Sequence, residues 1–167
     1  MDPQVFVQEL AGAPAVFRAL IVDLPRKALH VRPAPDQWSI RDVLCHLADE
    51  ERYDFRPRLE ATLRGEPWPK NHPSREVALE DYARADPIVA LTDWEAERAE
   101  SLAWLRGLGD IDWDTASSVP WGTMRAGELL ASWAAHDTHH QRQIIRLRYY
   151  RLAQLAEPYS LAYAGDW

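Results

Sequence analysis

The chain predicts an all-α fold, a four-helix bundle, with an irregular helical domain as the alternative. Three observations lead there. Four long segments repeat apolar residues at helical period, no segment carries a dependable strand pattern, and caps or breakers bound the long segments. No repeat, low-complexity tract or linker divides the 167 residues, so residues 1–167 read as one domain.

The first helix covers roughly residues 3–24, with Val5, Phe6, Leu10, Phe17, Leu20, Ile21 and Leu24 apolar; Pro14 either starts or kinks it, and Pro25 ends it. Pro33 and Pro35 keep the following connection extended. The second helix opens at Ser39, a natural N-cap, with Asp42 completing a capping box and Trp38 at the staple position. It is expected to run to about residue 63, bend at Pro57 and stop at Gly65. A loop follows to Arg75, then a short extra helix over about 76–83. The third long helix runs from Asp86 or Pro87 to Arg106, with Ile88, Leu91, Trp94, Leu102 and Leu105 on its core side. Residues 110–123 form a long connection, with extended pairing expected near Val119. The fourth helix spans about 125–155 and stops near Pro158; the last nine residues form an aromatic tail expected to lie against the bundle.

Composition excludes several classes of function. Apolar residues at 47% and charged residues at 27% describe a folded globular chain rather than a disordered one. Eight Trp, each needing a partner for its indole N–H, should sit at core edges or line a pocket. A net charge of −7 argues against nucleic-acid binding. Arg142, Arg146, Arg148 and Arg151 spread over the outer face of one helix and read as solvated. Cys45 is the single cysteine, which excludes an intrachain disulfide and a thiolate metal cage. There is no leader-like N-terminus and no membrane-length apolar run, so the expectation is a cytoplasmic protein without a membrane partner.

The chemistry-bearing residues are histidines. On a wheel of the fourth helix, Leu129, Trp133, His136, His140, Ile144 and Leu147 form one narrow stripe. His136 and His140 are therefore one turn apart on the inward face, where two imidazoles can converge on one ion. On the second helix Val43, His46, Glu50 and Tyr53 share a stripe, which adds a third inward histidine. Three neutral imidazoles leave a coordination position open, as in catalytic rather than structural zinc sites. The set forms only if the second and fourth helices are neighbours; otherwise these are hydrogen-bonded core histidines.

Glu50 is the candidate catalytic residue: a fourth ligand, an acceptor behind a ligand, a general base or a carboxylate at the bundle rim. His136-Asp137-x-x-His140 only superficially imitates the H-E-x-x-H zinc helix, because aspartate is the shorter acid. A di-iron bundle needs two E-x-x-H motifs, and the chain has none. His139 flanks the stripe, His30 and His72 read as surface loop residues, and Cys45 reads as a small buried one.

Two blocks carry a family likeness. WSIRDVLCHLADEE at 38–51 resembles the opening of the second helix in the DinB/YfiT-like superfamily, and WAAHDTHHQRQI at 133–144 resembles its last core helix. PWGTM at 120–124 is similar to the usual lead-in to that helix. The resemblance implies a four-helix bundle with a long crossover before the last helix. It implies a metal held by one histidine of the second helix and an H-x-x-x-H pair of the last, here His46, His136 and His140. It also implies a nickel or zinc ion and a frequent homodimer. Relatives in that superfamily include mycothiol-dependent isomerases, bacillithiol and mycothiol transferases, metal-dependent hydrolases and stress-associated members without a known reaction.

Two functional expectations follow. One is a metal-dependent enzyme acting on a small molecule, either a hydrolase or a transferase that takes a low-molecular-weight thiol as cosubstrate. The other is a non-catalytic, stress-associated helical protein whose metal is structural or absent. A pocket with Arg and Trp would favour thiol transfer, and Trp121, Arg125 and Trp133 are the sequence candidates for it.

Overall fold

The computed structural model describes residues 2–70, 73 and 75–165, with side chains left undescribed over 75–77; His72 and Trp167 lie outside the described residues. Helix α1 (Pro3–Ile21) is capped by Asp2, whose carboxylate accepts from the Gln4 amide, and carries Pro14 without breaking. It ends one turn short of Leu24, because Pro25 leads into a tight 3₁₀ turn, Arg26–His30. Both halves of the capping box predicted for α2 (Ile40–Asp49) are present. Ser39 Oγ accepts from the Asp42 amide at 3.2 Å, and Asp42 accepts from the Ser39 amide at 2.9 Å.

The second long helix is not one regular rod to residue 63. It passes from α2 through a wide π-helical turn, Glu50–Phe55, into α3 (Arg56–Arg64), which closes on Gly65 at φ +67°. Pro57 explains the irregularity. It offers no N–H to the Tyr53 carbonyl and its ring crowds that oxygen, so the turn before it opens.

Short α4 (Arg75–Tyr82) precedes α5 (Pro87–Gly107), which Asp86 caps by accepting from the Ile88 and Val89 amides. Leu91, Trp94, Leu102 and Leu105 face the core, but Ile88 in the first turn is 38% exposed. The long connection folds partly as a hairpin. Strand β1 (Ala116–Val119) pairs antiparallel with β2 (Gly122–Arg125) around Pro120-Trp121, and Gly122 takes φ +140°. Helix α6 (Ala126–Ala156) completes the bundle.

Helix α2 packs chiefly on α5 and α1 on α6; α1 also touches α5, and α2 and α3 touch α6. The second and last long helices are therefore neighbours, which is the condition the histidine set required. The core divides into two apolar clusters. Phe17, Leu44, Leu47, Leu91, Trp94 and Ile144 belong to one, and Leu10, Phe55, Leu59, Leu102, Leu130 and Trp133 to the other. Arg98 lies between them, buried.

The tail departs from expectation. Tyr159 and Tyr163 are 80% and 105% exposed, so its described part does not lie on the bundle. At 31 residues α6 outlasts α1 (19) and α5 (21), and its final turn, with Leu155 exposed, carries the chain past the core. No helix among the described residues is long and apolar enough to cross a membrane.

Candidate metal centre

His46 comes from the last turn of α2, and His136 and His140 from consecutive turns of α6. The structure brings all three together: one ring nitrogen of each lies within 4.8 Å of the others. His136 Nε2 stands 3.3 Å from His46 Nε2 and 3.0 Å from His140 Nε2. Nitrogens bound to one ion at ~2.0–2.1 Å stand about 3 Å apart, so the spacing suits a shared ion.

The surroundings select the protonation state. His140 Nδ1 is 2.7 Å from Gln143 Oε1, which can only accept, so the proton sits on Nδ1 and the Nε2 lone pair faces the cluster. His46 Nδ1 lies 3.5 Å from Glu50 Oε1, which orients that ring the same way. Burial, together with the neighbouring imidazoles, pushes the His136 pKa down to about 2, and burial pushes His140 down to about 4. Both are neutral at pH 7. Lone pairs converging inside a half-buried site repel one another until a cation lies between them, so the donor set fits a divalent metal.

Glu50 is not one of the converging donors; it stands at the nitrogen of His46 turned away from them. Trp38 walls the centre. Its ring meets His46 edge-on at 4.8 Å and stacks parallel to His140 at 6.2 Å. Two cavities flank it. One, about 710 Å³, runs from His140 along α6 to Tyr150; the other, about 440 Å³, is lined by His46, Glu50, Leu79 and Tyr82.

The residues that the sequence offered for an Arg–Trp pocket lie elsewhere. Trp121 is exposed at the hairpin tip, Arg125 pairs with Glu128 and Asp114, and Trp133 is buried with its indole N–H on Glu51 at 2.9 Å. None of them lines the two cavities beside the histidines, where Trp38 and Arg146 stand instead.

Beneath the histidines lies a buried polar layer that sequence reading missed. Arg98 directs its five N–H bonds at Glu51 (2.8 and 3.0 Å), Asp137 (2.5 and 3.0 Å) and the Leu10 carbonyl (3.1 Å). It also lies over the Trp94 and Trp133 rings. The signal was present in the spacing Trp94, Arg98, Leu102, Leu105, which puts an arginine on the core stripe of α5. Asp137 is consumed by this network, so it cannot act as the acid of a zinc-protease helix. Gln143 was also missed, although it lies three residues beyond His140 on the same helix.

Cys45 is buried, and burial with nearby carboxylates raises its thiol to about 12. The expected result is no labelling by a disulfide reagent at pH 8 until the protein is unfolded, followed by one equivalent, read at 412 nm with Ellman's reagent (about 412 nm being the absorbance of the released thiolate).

The profile of the DinB superfamily matches residues 9–144. A protein of Oceanobacillus iheyensis described as a candidate metal-dependent hydrolase is 26% identical over 145 residues, 85% of this chain and 83% of that one. Among solved structures, YfiT from Bacillus subtilis, described as a probable metal-dependent hydrolase with an unusual four-helix bundle topology, matches with a TM-score of 0.75. It is 23% identical, over 89% of this chain and 87% of its own. The mycothiol-dependent maleylpyruvate isomerase matches with a TM-score of 0.71 and 12% identity, over 86% of this chain and 61% of the isomerase. At such identities the two solved structures establish the fold and leave the reaction open.

Proposed function

The chain belongs to the DinB superfamily, and on that premise we propose that it is a metal-dependent hydrolase whose ion is held by His46, His136 and His140. The observation that carries this reading is the meeting of three Nε2 atoms beside two cavities. Zinc or nickel suits three imidazoles. An ion held there would supply Lewis acidity and lower the pKa of a group bound to it.

The chain's own residues supply the rest. Gln143 and Glu50 hold His140 and His46 as the tautomers whose lone pairs face inward. Trp38 covers the rings and limits the water that reaches them. Glu50 also lines the smaller cavity, where its carboxylate can take a proton from an attacking group. Glu50→Gln is expected to weaken metal affinity roughly 10- to 100-fold. Isothermal titration with Zn²⁺ measures it; intact affinity with lost turnover would assign Glu50 to proton transfer instead.

A second reading, transfer with a low-molecular-weight thiol, is favoured by the presence of two cavities, one lined by His140 and the other by His46. Assembly as a homodimer is carried by family membership alone, and sedimentation equilibrium decides it. The main test is elemental analysis of protein purified without a histidine tag, followed by ester, amide and thiol–electrophile panels with the metal-loaded protein. Turnover of esters or amides supports hydrolysis, and thiol consumption supports transfer. A stoichiometric metal with no turnover in any panel leaves the non-catalytic alternative, and absence of metal binding removes the site.

A further inference from the structure

The larger cavity has a chemical polarity that the metal centre alone does not explain. Its α6 wall presents His139, His140, Gln143, Arg146, Leu147 and Tyr150, which occupy one sector of about 120° on the helix. His140 marks the inner end. Arg146 lies six residues on, a rise of about 9 Å along the axis. Opposite it run Trp38 and the segment around Pro33 and Asp36.

Arg146 differs from its neighbour Arg148. Arg148 is tied to Asp23 and to the Leu20 carbonyl, whereas Arg146 forms no ion pair among the described residues and lines the cavity. The Gln143 carbonyl oxygen is occupied by His140, which leaves its amide N–H groups as the donors it can offer a ligand. Between the two ends, Trp38, Leu147 and Tyr150 supply flat and apolar surface. Asp36, on the opposite wall and also without an ion pair among the described residues, opposes a doubly charged anion more than a singly charged one.

The geometry points to Arg146 as the anion-recognising residue of this site, and to a substrate carrying a carboxylate at the end remote from its reacting atom. This rests on the metal reading above and adds the substrate class to it. The guanidinium fork binds a carboxylate with two parallel N–H bonds, the apolar middle of the substrate lies along Leu147 and Trp38, and the reacting end reaches His140.

The test uses the full-length protein loaded with Co²⁺, whose visible spectrum reports metal binding and whose near-ultraviolet band reports a coordinated thiolate. Probes are ω-mercaptoalkanoates of increasing length, the matching ω-mercaptoalkanols, and the matching phosphonates. The expected result is tighter binding of the carboxylate than of the alcohol by at least about 10-fold at the best-fitting chain length. Arg146→Gln should abolish that preference and Arg146→Lys keep part of it, with Tm unchanged because the residue is on the surface. Cobalt bound with equal affinity for acid and alcohol, or an undiminished preference in Arg146→Gln, overturns the assignment of Arg146 and leaves the metal reading standing. A phosphonate preferred over the carboxylate overturns the substrate class. A protein that takes up no cobalt overturns both readings together.

Discussion

Replacing His136 with alanine is expected to lower the affinity for Zn²⁺ or Ni²⁺ by more than about 100-fold, the upper range seen when only a supporting partner of a ligand is lost. His136 is the central member of the set, with its Nε2 at 3.3 Å from His46 and 3.0 Å from His140. The variant keeps only two of the three donors, on different helices. The fold itself should survive, because the ring is only partly buried and its removal leaves no charge unpaired. Competition titration with a chromophoric chelator, alongside far-ultraviolet circular dichroism, separates the two effects. Wild-type affinity in a folded His136→Ala protein would remove this residue from the proposed ligand set.

The largest effect on stability is expected from Arg98→Met. Arg98, Glu51 and Asp137 are all nearly inaccessible, and the arginine is their shared counter-ion. Removing it strands two carboxylates in the core, and breaking a buried pair in this way costs about 3–5 kcal/mol. For a domain of this size that corresponds to a fall in Tm on the order of 10 °C or more. Adding Glu51→Gln and Asp137→Asn to Arg98→Met should recover part of the loss, because neutral amides are cheaper to bury than unpaired charges. Urea denaturation of the single and triple variants checks both statements. A single variant within about 1 kcal/mol of wild type would show that water or protonation relieves the stranded acids.

The network also bears on the metal centre. Asp137 immediately follows His136 on α6, and Glu51 lies in the turn that follows the His46 helix, so one buried arginine joins these two segments through their carboxylates. The partners of that arginine could not be read from periodicity. The wheel placed His46, His136 and His140 inward because each occupies an apolar stripe, and the capping box at Ser39 set the phase of α2. Arg98 shares such a stripe, yet arginine is almost never fully buried unless paired, and its partners lie 47 and 39 residues away in sequence. Pro57 was legible as a bend, but that the turn ahead of it opens into a π-helical one shows only in the structure.

The features legible along the chain are local ones. Helix periods, caps, the all-α class and the inward phase of the three histidines all follow from spacing along one chain, because 3.6 residues per turn fixes which side chains share a face. Which faces meet is settled by packing across the whole fold. The neighbouring of α2 and α6, the Arg98 layer, the placing of Trp38 over the rings and the cavity between His140 and Arg146 arise from packing between segments far apart in sequence. The reason is physical: a stripe states that a surface must be buried, while its partner is set by shape and charge complementarity among all the helices at once.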